Sequence, residues 1–237
     1  MRHTTLSLAV TFALAAFCWS QAAPVHKPAV TPHPPAAPAA EPTAIIQTTA
    51  GNLTCTLFPK QAPVGVANFI GLAKGTKDWT SPATHDKKHG VPLYDGTIFH
   101  RVIPEFMIQG GDPAGSGSGD VGFAFKNETS PSLAFDRPGR LAYANAGPGT
   151  NGSQFFITEI PYPSLNGGYT LFGQCDDASV ELVKKIARMP RNSNDRPNNP
   201  VKIIHIKIVS GAPAAHPAAP KPAAKPAPKP APKASQP

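Results

Sequence analysis

Where proline falls is the strongest constraint on how this chain folds. Seven of its 30 prolines crowd into residues 24–43 and nine into residues 210–237. Proline removes a backbone donor and locks φ, so neither flank can build a helix or the interior of a sheet. The Pro/Ala segment 24–43 favours extended polyproline II and should act as a semi-rigid linker. The Lys/Ala/Pro tail, 210–237, buries too little apolar surface to fold alone and is expected to be disordered. A core must lie between them. Residues 44–209, about 166 in all, are enough for one well-buried domain.

That middle segment reads as short strands with two good helices. Residues 44–49 and 52–58 flank a tight turn at Ala50-Gly51. In the second run Leu53, Cys55 and Leu57 alternate with polar residues, as in a half-buried strand. Pro63 suits the first turn of a helix, and Val66, Phe69, Ile70 and Ala73 recur at helical spacing up to Gly75. A second helix is predicted over 176–188. Acids fill its first turn, Val180, Val183, Ile186 and Ala187 form its apolar stripe, and Lys184, Lys185 and Arg188 suit its C-terminal dipole. Residues 201–209 read as a closing strand. The pattern predicts a mainly β protein, a closed antiparallel barrel capped by helices.

Charge follows the same division. The net charge is +8, but residues 44–209 carry 16 Lys/Arg against 13 Asp/Glu. The basic balance belongs mainly to the flanks, and no nucleic-acid motif accompanies it, so no nucleic-acid partner is expected. The N-terminus reads as a secretory signal peptide over 1–23. Arg2 and His3 precede the apolar run 6–17, and small residues at 20–23 offer a cleavage site. The run is short for a membrane span, so no stable membrane insertion is expected after cleavage. Phe17 before Cys18 argues against lipidation, where a small residue normally stands. Cleavage would leave Cys55 and Cys175. In an oxidising compartment two cysteines suggest one disulfide; two buried free thiols are the alternative, and the residues leave both open.

Chemistry concentrates in two stretches, FHRVIPEFMIQGGD at 99–112 and LAYANAGPGTNGSQFFIT at 141–158. They set Arg101, Gln109 and Gln154 among Phe106, Met107 and Phe156. Neither stretch carries a nucleophile with local His–Asp support, a metal-ligand cluster or a carboxylate pair for acid–base work. An arginine stays protonated, yet a fixed cation in an apolar pocket can stabilise a transition state electrostatically. Rotation about a peptide bond needs nothing more. Its barrier of ~18–20 kcal/mol comes from amide resonance, and at X–Pro bonds both isomers are populated while exchange is slow. As the bond twists, the proline nitrogen gains a lone pair to which a guanidinium can donate.

With these motifs, residues 44–209 resemble a cyclophilin-type peptidyl-prolyl cis–trans isomerase. The resemblance implies eight strands with a helix at each open end and no cofactor. It implies that Arg101 is the catalytic cation and that Gln109 polarises the substrate backbone. It assigns the proline pocket to Phe106, Met107, Phe156 and Leu165, and substrate backbone contacts to Ala144, Asn145 and Ala146 with Gln154 beside them. Two positions depart from the commonest pattern. Ser164 stands where many members have tryptophan, and Tyr169 where many have a pocket histidine. Tyrosine keeps an aromatic wall with a polar tip. The missing indole is implied to help bind cyclosporin, so inhibitor affinity should suffer more than catalysis.

Lesser signals carry plainer readings. The glycine-rich run 110–122 lacks the Gly-Lys-Ser/Thr ending of a phosphate loop and reads as a flexible loop beside the groove. His85 and His89 make too sparse a pair for a metal site, and no metal is expected. Asn52, Asn127 and Asn151 each open an N-x-S/T triplet, with Asn151 better explained by the groove motif. Residues 77–93 lengthen the path to the arginine strand, either as a rim or as a surface loop. The expected protein is a secreted, most simply periplasmic, monomeric isomerase acting on proline-containing unfolded or extended polypeptides. Its tail either contacts an anionic envelope surface or keeps the protein soluble. The competing classes are a proline-segment-binding chaperone or scaffold and an envelope-attached structural protein. Arg101 favours the enzyme, because binding alone needs no cation at the twisting amide.

Overall fold

In the first hairpin, side-chain alternation meets the core directly. The computed structural model describes residues 41–210. Strand β1 (Thr43–Thr48) sends Ala44, Ile46 and Thr48 inward, and β2 (Gly51–Leu57) sends Leu53, Cys55 and Leu57 to the same side. The turn falls at Thr49-Ala50, one residue before the predicted position. Thr48 Oγ1 donates to Gly51 O at 2.6 Å, which stitches the hairpin end. The expected signal peptide, the linker up to residue 40 and the tail from 211 lie outside the described residues.

The helices form where the apolar stripes predict. Helix α1 (Pro63–Lys74) has proline in its first turn and ends at Gly75, whose φ of 71° supplies the left-handed cap. Its first amides, Val64 N and Gly65 N, donate to the Glu128 carboxylate at 3.0 and 2.7 Å. That anion satisfies donors the helix cannot. Val66, Phe69, Leu72 and Ala73 are buried, while Ile70 packs partly exposed against the core edge. Helix α2 (Asp177–Ala187) is capped by Asp176, which accepts from Ser179 N at 2.8 Å. Val180, Val183, Ile186 and Ala187 are buried as expected.

Eight strands form one antiparallel sheet. A short hairpin, β3 (Trp79–Thr80) with β4 (Lys87–Lys88), stands outside it. The remaining strands are β5 (Arg101–Ile103), β6 (Met107–Gly110), β7 (Arg140–Tyr143), β8 (Phe155–Thr158), β9 (Leu171–Cys175) and β10 (Ile203–Val209), in spatial order β10-β1-β2-β9-β7-β8-β6-β5. The expected closed barrel is corrected in one respect. The sheet curls, but no ladder joins its edge strands β5 and β10. Instead residues 96–99 cross the seam. Gly96 N and Phe99 N donate to Ile203 O and Val201 O, Thr97 O accepts from Ile203 N, and Ile98 bridges singly to both Lys202 and Asp112. The main core fills the curl, with Phe69, Tyr94, Phe99, Phe155 and Phe172 among its fully buried side chains. Among the described residues no helix is long and apolar enough to cross a membrane.

Cys55 and Cys175 stand directly opposite each other in the β2–β9 register and are joined by a disulfide, with Cα atoms 3.8 Å apart. The bridge ties the first hairpin to the start of α2 across a sequence separation of 120 residues. Removing it with the Cys55→Ala/Cys175→Ala pair should lower unfolding stability by up to about 4–5 kcal/mol, the chain-entropy value for a loop of this size. A urea titration checks this, and reductant should move the parent midpoint the same way; coincident midpoints would show that the bridge does not constrain the unfolded chain.

Candidate functional site

The sheet has two faces, and the period-two alternation sorts the motif residues between them. On β8, Phe155 and Ile157 enter the main core, while Phe156 points to the other face. On β6, Ile108 enters the core and Met107 joins Phe156. On β7, Leu141 and Tyr143 go in and Ala142 comes out. Register then aligns the outward residues into a row. Arg101 pairs with Gln109, Gln109 with Phe156 and Phe156 with Ala142 across four neighbouring strands. One cation, one amide and one aromatic ring thus lie side by side.

Around that row a cavity of about 110 Å³ opens, lined by Arg101, Phe106, Met107, Gln109, Ala144, Asn145, Phe156, Leu165 and Tyr169. Tyr169 meets Phe156 edge-on at 5.5 Å, and Phe135 stacks behind Phe156 at 5.9 Å. Leu165 arrives on a single 3-10 turn, Pro163–Leu165. Ala146 and Gln154 are placed elsewhere. With Gln109, Ala144 and Asn145 they line an adjoining cavity of about 420 Å³ whose far wall is the glycine-rich loop. The two cavities share Gln109, Ala144 and Asn145, so they form one continuous groove.

A directed chain of polar contacts runs along the groove floor. Arg101 Nη1 faces Gln109 Oε1 at 3.5 Å, Gln109 Nε2 donates to Gln154 Oε1 at 3.0 Å, and Gln154 Nε2 donates to Gly117 O at 3.0 Å. Each amide is oriented by the next. Asn145 Nδ2 donates to Gly168 O at 3.1 Å, which ties the β7 end to the loop carrying Tyr169. Behind it Asn151 is fully buried, donating to Phe125 O and Asn127 Oδ1 at 3.1 and 2.8 Å. Its side chain is committed to the groove wall and is inaccessible to glycosylation.

Several supporting residues carry no signal in the linear sequence. Glu159 is buried, and its carboxylate accepts from Glu105 N at 2.9 Å and from Arg188 Nη1 at 2.5 Å. It thereby holds Glu105 at a φ of 59° and presents Phe106, whose ring packs on Tyr162 at 4.5 Å. Asp112 organises the glycine-rich loop, accepting from the amides of Ala114, Ser116, Gly117 and Gly119. A loop expected from its glycines to be merely flexible is thus wrapped around a buried carboxylate. Burial alone would raise the Asp112 pKa, but those amide donors outweigh it and hold the carboxyl below its usual range. Next to Arg101, His100 is buried against the Ile98 backbone and the Asp112 carboxylate. Burial lowers its pKa; the Asp112 carboxylate and a hydrogen bond to the Ile98 backbone oppose that, and Arg196 and Arg101 reinforce it.

The remaining motif residues fall outside the groove chemistry. His89 pairs with Asp78 at 2.8 Å on the exposed surface, and among the described residues no cluster of three or more metal-ligating side chains occurs. The first residues of 77–93 back the wall of the larger cavity. Lys77 Nζ lies 4.0 Å over the Phe123 ring and Thr80 N donates to Val121 O, both at the wall of the larger cavity.

A profile described as cyclophilin type peptidyl-prolyl cis-trans isomerase/CLD matches residues 43–208. The chain belongs to this family. Its similarity to individual cyclophilins is extensive. It is 51% identical over 172 residues to the peptidyl-prolyl cis-trans isomerase A of Mycobacterium tuberculosis, covering 72% of this chain and 94% of the relative. It is 48% identical over 162 residues to the peptidyl-prolyl cis-trans isomerase B of Streptomyces anulatus, covering 68% and 92%. Among solved structures, a Cryptosporidium parvum cyclophilin crystallised in the presence of the dipeptide Ala-Pro superposes with a TM-score of 0.61 at 36% identity, covering 71% of this chain and 99% of that one. Ser164, where the resemblance leads one to expect tryptophan, is exposed on the turn beside Leu165. Ser164→Trp should set an indole at the pocket rim and tighten cyclosporin at least tenfold, about the scale of one aromatic anchor. Inhibitor titration of isomerase activity measures this; unchanged affinity would place the determinant elsewhere.

Proposed function

We propose that this chain accelerates rotation about X–Pro bonds in extended polypeptides outside the cytoplasm, by non-covalent stabilisation of the twisted amide. The observation that carries the reading is the register row of Arg101, Gln109 and Phe156 at the edge of the smaller cavity. The family membership and the relatives' names support the reaction. The Ala-Pro dipeptide present with the structural neighbour supports the substrate class.

In this mechanism the proline ring seats among Phe106, Met107, Phe156 and Leu165, where desolvation favours it over a charged residue. The preceding backbone lies along Ala144, Asn145 and Ala146. Gln109, held by Gln154, engages the substrate backbone. The Arg101 guanidinium donates to the proline nitrogen as it becomes pyramidal. That donor meets a lone pair only in the twisted state, so it lowers the barrier rather than merely tightening binding. A holding module would need the pocket but not the cation. The apolar run 6–17 and the Cys55–Cys175 bridge support an oxidising compartment. Helping newly exported chains through slow X–Pro steps is the role that follows.

Arg101→Ala should reduce kcat/KM by at least tenfold with the fold intact, since a lost transition-state donor costs about 2.7–4 kcal/mol. Arg101→Lys should recover only part of it, because the planar fork is gone. Protease-coupled isomerisation of an Ala-Pro peptide reads both, and near-parental turnover in the alanine variant would remove Arg101 from the mechanism.

Turnover should also be nearly independent of pH from about 6.5 to 8.5. No step transfers a proton. His100 titrates below its ordinary value near 6.5, so its ring beside Arg101 is mostly uncharged across that window. A steep profile inside the window would mean that a titrating group takes part.

A further inference from the structure

Arg101 is approached from two sides. Nη1 faces Gln109, and on the opposite edge Nε lies 3.9 Å from Oδ2 of Asp195. Asp195 comes from the loop between α2 and β10, remote in sequence from either groove motif. Its placement is strongly determined. The Asp195 carbonyl accepts from Val102 N at 2.9 Å, pinning the loop to the residue beside Arg101. Arg191 Nε donates to Oδ1 at 3.1 Å, which occupies one carboxylate oxygen and leaves the other for Arg101. Asn192 closes the turn, its Oδ1 accepting from Asn194 N and Arg196 N at 2.9 and 3.1 Å. Arg196 in turn donates to Gly115 O and ties the loop to the glycine-rich wall. Asp195 also adopts a φ of 58°, where glycine, asparagine and aspartate are the residues readily tolerated.

We propose that Asp195 is a positioning residue for the isomerisation. Anchored by Arg191, its carboxylate draws the Nε edge of Arg101 electrostatically from 3.9 Å, so that the terminal nitrogens favour the Gln109 side of the groove. The inference rests on the assignment of Arg101 as the cation at the twisting amide. Two effects compete. A nearby anion screens the cation, which weakens its pull on the developing lone pair. It also removes rotational freedom from a long side chain whose donors must meet that lone pair in line. The pair is partly exposed and its oxygen–nitrogen separation is long, so screening is modest. Because Asp195 is itself pinned by Arg191 and by the Val102 amide, its charge favours one setting of the guanidinium, and that bias outweighs the screening.

Asp195→Asn separates the two. Asparagine accepts the same backbone conformation and keeps the size, but loses the charge. Against an Ala-Pro peptide, kcat/KM should fall about five- to tenfold, carried by kcat, with KM within about twofold. The Tm should stay within about 4 °C of the parent, as befits a partly exposed pair. In the Arg101→Ala background Asp195→Asn should have no further effect, because the group it positions is gone. The Arg101 Nε–Hε resonance should shift and exchange faster with solvent in Asp195→Asn. A merely structural loop contact would instead lower the Tm and would still reduce activity without Arg101; that result overturns the proposal. Unchanged or increased kcat/KM in Asp195→Asn, with Arg101→Ala still impaired, overturns positioning and leaves the catalytic cation standing. Parental turnover in Arg101→Ala would instead overturn the reading on which the proposal rests.

Discussion

Everything at the groove depends on strand register between β5, β6, β8 and β7. A strand shows alternate residues to opposite faces, so a slip of one residue would exchange the core set for the groove set. Phe155 and Ile157 anchor the register from inside, because they fill the main core beside Phe69, Tyr94 and Phe99. Their burial fixes Phe156 outside, and pairing then fixes Gln109 next to Phe156 and Arg101 next to Gln109. The functional row is a consequence of how the core packs, and its precision is that of a strand rather than a loop.

The rest of the groove comes from loops, and these are held by carboxylates that accept backbone amides. Glu159 holds the turn that presents Phe106, Asp112 holds the glycine-rich wall, and Glu128 meets the first amides of α1. Burying a carboxylate is costly unless its lone pairs are satisfied, and charge-assisted bonds to amides are strong enough to offset that. A single acidic side chain thereby gathers several backbone donors that no strand or helix serves. Such anchors explain how short, proline- and glycine-rich connections can carry defined groove walls.

The electrostatics are spare. Arg101 supplies the one fixed charge among the pocket-lining side chains, and the amides of Gln109 and Gln154 line up from it. His100, close behind, is pushed toward its neutral form by burial, so it adds no charge of its own behind Arg101. A pocket with one fixed charge and no proton-transfer group suits a reaction in which no bond is made or broken.

Much of this was legible in the sequence, for identifiable reasons. Proline crowding marked the domain limits, because proline acts on its own backbone and neighbours. Both helices and the first hairpin followed from local apolar spacing. The contiguous motifs that carry the family resemblance pointed to Arg101, Gln109, Phe106, Met107 and Phe156 as neighbours, since short hairpin strands keep such residues near one another. What only the tertiary structure decided involves partners distant along the chain. It set Cys55 opposite Cys175, put single bridges at Ile98 where a closing ladder was expected, and divided the groove so that Ala146 and Gln154 line its larger half. It also brought Glu159 under Glu105 and Asp195 beside Arg101. Local spacing determines which face a side chain takes, but the identity of its neighbour across the sheet depends on how the whole sheet curls around its core.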